Sequence, residues 1–280
     1  MFGSAAAEYD RARPGYPSRL LESIARRARL HPGSRVLEIG CGTGQLTRSL
    51  VRRGYHVHAI EPDPRMAAHA RRSLSNTVSA HHPHVDLVEQ MIEEVDLPES
   101  AYDAAFSASA FHWVDPDVGW VKVAHALRPG GRFSLLGHLI VEDAWSSASM
   151  HGLLEIYERR ADTSWPIRSA AQVVDGTTQR WDDISLAWAF AESMRPIAGR
   201  GAKDHFGEPA LDVALWRTTF TTVELIELQR TRSVHLRLAP EARAAAELDL
   251  ATLVERLGGV FRQTHLSIAL SGAKLPVAAR

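Results

Sequence analysis

One run limits what this chain can become: Val36-Leu37-Glu38-Ile39-Gly40-Cys41-Gly42-Thr43-Gly44. Arg35 to Ile39 reads as a compact buried strand, and three alternating glycines turn the chain straight out of it. Glycine permits a sharp turn and lets the backbone approach a ligand closely. A plain tight turn does not need three glycines in alternation. Gln45 to Arg53 then reads as a helix, with Gly54 as its C-terminal stop.

The same alternation continues on both sides. Ser18 to Arg29 reads as a helix with Ser18 as N-cap and an apolar stripe of Leu20, Leu21, Ile24 and Ala25. Pro32-Gly33 breaks the chain. Tyr55 to Ile60 is a second strand ending at Glu61, and Pro62 to Ser75 is a helix with Pro64 in its first turn. Val85 to Glu89 and Tyr102 to Ser107 are further strands. Pro116 to Leu127 is a helix, stopped by the turn Arg128-Pro129-Gly130-Gly131, and Arg132 to Leu139 is a fifth strand. Strands and helices in this rhythm build βαβ units and a parallel sheet, with right-handed crossovers covering both faces. The glycine turn then lies at the carboxyl edge, where open α/β sheets bind ligands.

From about 141 to 208 the rhythm fails. The stretch holds Trp145, Trp165, Trp181 and Trp188 and helical pieces at Met150 to Arg160 and Ile184 to Met194. Those tryptophans either wall an acceptor pocket or anchor a cap. Leu211 to Arg217 and Thr264 to Leu270 read as strands, and Thr222 to Thr231 and Pro240 to Leu257 as helices. The organisation expected is an N-terminal lid segment over 1–17, a cofactor-binding core over 18–141, a helical cap over 142–208 and completion of the sheet over 209–280.

Composition narrows the function classes. The 280 residues carry a net charge of −1, which gives no global pull towards nucleic acid, and a single cysteine, which cannot form an intrachain disulfide. No apolar run is long enough to span a membrane, and Met1 to Asp10 lacks the pattern of a secretory signal, so a cytoplasmic protein is expected. The arginine pairs 26–27, 52–53, 71–72 and 159–160 fall on separate helices and read as solvated faces. His81-His82-Pro83-His84 precedes the third strand, far from the carboxyl edge, and has poor geometry for one metal centre, so no metal is expected.

The glycine spacing bears on the cofactor. A dinucleotide loop wants Gly-x-Gly-x-x-Gly, but the last of those positions here is Gln45. Glu38 inside the strand suits an amine-bearing ligand better than a pyrophosphate. Glu61 stands 21 residues after Gly40, where a carboxylate can accept hydrogen bonds from vicinal ribose hydroxyls. A nucleoside-bearing cofactor without a pyrophosphate follows.

VLEIGCGTGQLT, HAIEPDPRM, YDAAFSASAFHWVD and LRPGG, in this order, resemble the class I S-adenosylmethionine-dependent methyltransferases. The likeness is greatest to the small-molecule branch that includes trans-aconitate-type enzymes, through YDRARPGYP at residues 9–17 and WRTTFT at 216–221. The resemblance implies a Rossmann-like, doubly wound, seven-stranded, mostly parallel sheet with an antiparallel last strand. It implies S-adenosylmethionine as cofactor and S-adenosylhomocysteine as product. Gly40, Gly42 and Gly44 would line the methionine part, with Cys41 a small residue in the same turn. Glu38 would orient the amino group, Glu61 would hold the ribose and Pro62 would lie against the adenine. Met91 stands where the family often has an acid near the adenine amine; Gln90 would supply the amide contact and Ile92 would cover the ring. Ser107 would offer its carbonyl to the ammonium, and Tyr16 would close the methionine end.

Methyl transfer from a sulfonium is an in-line displacement, so the protein chiefly aligns the reacting atoms. A base is needed only if the acceptor holds its proton. His112 follows the fourth strand and is the candidate base; the other reading has it fixing the loop with Trp113. Tyr9, Arg13, Trp113 and His138 are candidate acceptor-binding residues. The expected acceptor is a small molecule methylated at a carboxyl or hydroxyl oxygen, with no nucleic-acid or membrane partner. The same motifs also fit a protein that binds the cofactor and cyclises a substrate, or only binds. A nicotinamide dehydrogenase and an RNA methyltransferase fit the glycine spacing and the charge less well.

Overall fold

A computed structural model describes residues 6–75, 84–161, 167–176 and 201–276. Seven strands form one sheet: β1 (Arg35–Ile39), β2 (His56–Ile60), β3 (Val85–Val88), β4 (Tyr102–Ala108), β5 (Leu127–Val141), β6 (Ala210–Phe220) and β7 (Phe261–Ala273). Their order is β3-β2-β1-β4-β5-β7-β6. The pairs from β3 to β5 are parallel, and the last strands run antiparallel. The chain goes from β1 outward through β2 to β3 and then returns to place β4 on the other side of β1. That reversal makes the carboxyl ends of β1 and β4 the switch point at which doubly wound sheets take their ligands.

The chain divides into two compact units. One comprises Gly15–His138, Thr177–Ala214 and Ser267–Arg280. Side chains alternate across its sheet. Leu37 and Ile39 pack with Phe111, Trp120, Phe133 and Phe206 on one face. Val36 packs with Leu20, Leu46, Leu50 and Phe106 on the other. Glu38 is in phase with Val36 and so points into this second apolar layer. Helix α2 (Ser18–Ala28) covers that face with Leu20, Leu21 and Ile24, and helix α3 (Gln45–Val51) with Leu46, Thr47 and Leu50. Ser23 and Arg27 of α2 bond Asp212 of β6 at 2.6 and 2.8 Å.

The other unit comprises Met1–Pro14, Leu139–Gly176 and Leu215–Leu266. Its core joins Met150, Leu153 and Tyr157 of helix Ser147–Ala161 to Leu250, Leu253 and Val254 of helix Pro240–Arg256. The helices meet closely at Gly152, where a Cβ would stand 2.3 Å from Leu253 Cδ1. Asp143 ties the segment after β5: it accepts from the Ser146 amide, Thr264 Oγ1 and the Arg217 guanidinium, each within 3.0 Å. Those bonds outweigh burial and hold its carboxyl down at about 2. Arg217 also lies over the Trp145 ring at 5.6 Å, so this tryptophan anchors its segment. Trp165, Trp181, Trp188 and the helix expected over Ile184 to Met194 lie outside the described residues, as do His81 and His82.

Two local expectations need correction. Ser18 is the first helical residue and Pro17 takes the cap position, with no side-chain cap bond. The turn at Arg128-Pro129-Gly130-Gly131 lies within β5: Tyr102 pairs with Leu127 and Ala104 with Arg132, so the four residues between loop out as a bulge. Helix α1 (Ala6–Ala12) lies within the N-terminal segment over 1–17.

Candidate active site

The glycine turn is locked to its neighbours. The amides of Gly40 and Cys41 donate to Ile60 O at the end of β2, at 2.8 and 3.1 Å. Gly40 has φ +68°, and a Cβ there would stand 2.3 Å from Ala110 Cβ in the loop after β4. Only glycine lets the loops after β1 and β4 come this close. Gly42 and Gly44 also have positive φ, at +59° and +91°.

Two carboxylates stand behind this turn. Glu38 pairs in register with Ala59 and Phe106 and is buried. Burial pushes its carboxyl up to about 8; Thr47 and Arg48 on α3 oppose the rise, and Glu61 adds to it. Its Oε2 is buried and finds no hydrogen-bond partner among the described residues. An isolated buried carboxyl oxygen is costly unless something donates to it. An ammonium group meets that need, so Glu38 fits the amino-acid end of S-adenosylmethionine. Glu61 is buried as well, and burial raises its carboxyl above the ordinary value. Its Oε2 accepts from the Gly42 amide at 2.8 Å and its Oε1 from the Asp63 amide at 3.0 Å. The backbone therefore fixes Glu61, and each oxygen keeps a second acceptor direction for a hydroxyl.

The remaining candidates fall as follows. Ser107 is buried at the end of β4 and donates from Oγ to Ile39 O at 2.9 Å, tying the two central strands. After β3, Gln90 and Met91 are exposed, whereas Ile92 is buried in the core with Ile60. Pro62 is exposed beside Glu61. Cys41 is buried, and burial pushes its thiol well up, which leaves it unreactive. His112 occupies the short 3-10 turn Phe111–Trp113 after β4, its ring 5.0 Å from that of Trp113. Burial lowers it to about 4, so its imidazole is neutral at physiological pH. Trp113 is 70% exposed. Tyr16 stacks on His138 with ring centroids 4.2 Å apart, and His138 Nδ1 bonds Ser267 Oγ at 2.8 Å. Tyr16 and His138, expected on cofactor and acceptor respectively, thus form one stack.

Tyr9 and Arg13 belong to the other unit. Arg13 bonds Thr231 Oγ1 and O at 3.1 and 3.0 Å and lies 5.0 Å over the Tyr9 ring. Two residues of the glycine turn's surroundings escaped the sequence reading. Thr47 is a buried hydroxyl beside Glu38, and Gln45 accepts from Thr43 Oγ1 at 2.8 Å. A buried acid in a strand signals that the following helix must offer it polar company, but not at which turn. Among the described residues no group of histidines, cysteines or acids could hold a metal, and no helix is long and apolar enough to cross a membrane.

Residues 37–135 match the family described as a methyltransferase domain. An uncharacterized methyltransferase of Mycobacterium tuberculosis (strain ATCC 25618 / H37Rv) is 40% identical over 135 residues, 48% of this chain and 51% of the relative. Malonyl-[acyl-carrier protein] O-methyltransferase of Serratia marcescens is 33% identical over 131 residues, 46% of this chain and 48% of that one. The chain thus spans about half the length of the curated relatives it matches. A putative type II methyltransferase from Anaeromyxobacter dehalogenans shares the fold with a TM-score of 0.62 at 21% identity, covering 95% of this chain and 99% of that one. The stretch that matches the methyltransferase-domain family, residues 37–135, holds the glycine turn and both buried acids.

Proposed function

We propose that this protein transfers the methyl group of S-adenosylmethionine to an oxygen of a small-molecule acceptor, a carboxylate in particular. The observation that carries the reading is the unpartnered Glu38 Oε2 buried behind the glycine turn. The backbone of Gly40, Gly42 and Gly44 lines the methionine part, and Glu38 receives its ammonium together with the Ser107 carbonyl. Glu61, held by Gly42 and Asp63, takes the ribose hydroxyls. Pro62, Gln90 and Ile92 form the adenine side. The cofactor supplies an electrophilic methyl group on a sulfonium.

The state of His112 favours a carboxylate over a hydroxyl acceptor. An imidazole at about 4 is too weak a base to take a proton from an alcohol or phenol near neutrality. A carboxylate acceptor is already ionised and needs only alignment. His112 then positions the loop with Trp113. The resemblance to trans-aconitate-type enzymes points the same way.

The test is a product assay. The protein is incubated with S-adenosylmethionine and a panel of small carboxylic acids, phenols and amines, and products are analysed by mass spectrometry. The reading expects S-adenosylhomocysteine and a base-labile methyl ester in equal amounts, and less than a tenfold loss of kcat in His112→Asn. Methylation confined to nitrogen or carbon, or cofactor binding with no methylated product, contradicts it.

A further inference from the structure

The unit that holds Tyr9 and Arg13 has unmet polar groups of its own. Helix Thr222–Arg230 ends in Gln229 and Arg230, the buried Thr231 caps its C-terminus, and Arg232 follows as the N-cap of the short helix Ser233–Leu236. Gln229 is 1% exposed. Its Oε1 accepts from the Tyr157 hydroxyl at 3.3 Å, but its Nε2 is buried with no partner among the described residues. Arg232 Nε is buried and lacks a partner in the same sense. The acid of this neighbourhood is already taken: Glu247 accepts two bonds from Arg230, at 2.8 and 2.7 Å, and faces His235 at 3.4 Å. A second cation is close, because Arg13 is pinned to Thr231, the residue before Arg232.

Both unmet groups are donors, one of them is cationic, and a further guanidinium stands beside them. Buried donors are ordinarily satisfied. Water can accept a hydrogen bond here but cannot offset the charge of two guanidiniums. A guanidinium fork matches the two oxygens of a carboxylate or phosphate. We propose that Arg232 and Gln229, with Arg13 alongside, form a binding site for an oxyanion, a carboxylate or phosphate group carried by a small molecule. Burial and then the like charge of Arg13 bring Arg232 down to about 9, so it is a cation at neutral pH and a bound anion would oppose both effects. Sequence alone gives no sign of this, since one arginine after a helix end is ordinarily solvated.

The experiment titrates the full-length protein with citrate, and separately with inorganic phosphate, reading the thermal midpoint at ionic strength held constant with potassium chloride. Wild type is compared with Arg232→Gln and Gln229→Leu. A saturable rise in midpoint is expected, with apparent affinity at least tenfold weaker in Arg232→Gln and weakened in Gln229→Leu. The stronger of the two anions identifies the group. Gln229→Leu keeps the charge and carries the comparison if Arg232→Gln does not fold. No saturable rise in wild type, or equal affinity in the variants that fold, overturns the proposal. Titration of the same samples with S-adenosylhomocysteine reads the methyl-transfer proposal separately.

Discussion

Glu38 is the residue on which the proposed cofactor site rests, and its ionisation makes that testable. Its folded value of about 8 lies above the unfolded 4.5, so the ligand-free folded state binds a proton that the unfolded state has lost. The group's cost to stability is absent below pH 4.5, grows as pH rises and levels off above about 8. Glu38→Gln is neutral throughout. Urea titrations should therefore show the variant matching wild type near pH 4.5 and exceeding it by a few kcal/mol at pH 8. Cofactor binding has the opposite linkage. An ammonium group favours the carboxylate, so binding of S-adenosylhomocysteine at pH 7 should release close to one proton from wild type and none from Glu38→Gln. Calorimetry in buffers of different ionisation enthalpy reads that number directly.

Gly40 and Gly42 make a second residue-scale contrast. Alanine at either position meets a left-handed backbone, which costs about 1–2 kcal/mol. At Gly42 the added carbon finds only the flexible Met66 Cε at 3.6 Å, whereas at Gly40 it would strike Ala110 Cβ at 2.3 Å. Denaturant unfolding should place Gly40→Ala below Gly42→Ala by about 1–3 kcal/mol, the usual cost of overpacking. Equal losses would mean that the loops after β1 and β4 do not meet as described.

At the scale of elements, helix and strand starts obey local chemistry where a cap or a glycine decides them. The helix Thr222–Arg230 begins with a capping box: Thr221 accepts from the Glu224 amide, and Glu224 from the Thr221 amide at 2.8 Å. Thr221→Ala should cost about 1 kcal/mol in thermal or urea unfolding. Much of the sheet was legible for the same reason. β1 and its glycine turn were readable to the residue, and β2, β3 and β4 nearly so, because short apolar runs were punctuated by Gly, Pro and acids. The errors fall where a long-range contact overrides a local signal. Pro129-Gly130-Gly131 looks like a terminator, yet pairing with β4 resumes beyond it. Thr47 matters because Glu38 is buried beside it, a fact that no local pattern carries. Arg232 is stranded by partners engaged elsewhere, which sequence cannot show.

For the whole molecule, the doubly wound sheet gathers at one edge the residues that the chain spreads from Glu38 to His112. Their support is the aromatic layer on one face, where Trp120 meets Phe111 edge-on at 4.8 Å and Phe133 at 5.6 Å. Trp120→Ala should cost about 3–5 kcal/mol, as other large core truncations do. The arginine pairs expected on solvated faces partly meet acids: Arg71 pairs with Glu89, and Arg160 with Asp249 at 2.9 Å.

The central claim is that the glycine turn, Glu38 and Glu61 hold S-adenosylmethionine. The most direct measurement is calorimetric titration with S-adenosylhomocysteine of wild type and Glu61→Ala, with NAD as the control ligand. The account predicts saturable binding to wild type, at least tenfold weaker in Glu61→Ala, and none of NAD. Failure to bind S-adenosylhomocysteine, equal affinity in the variant, or preference for NAD would contradict it.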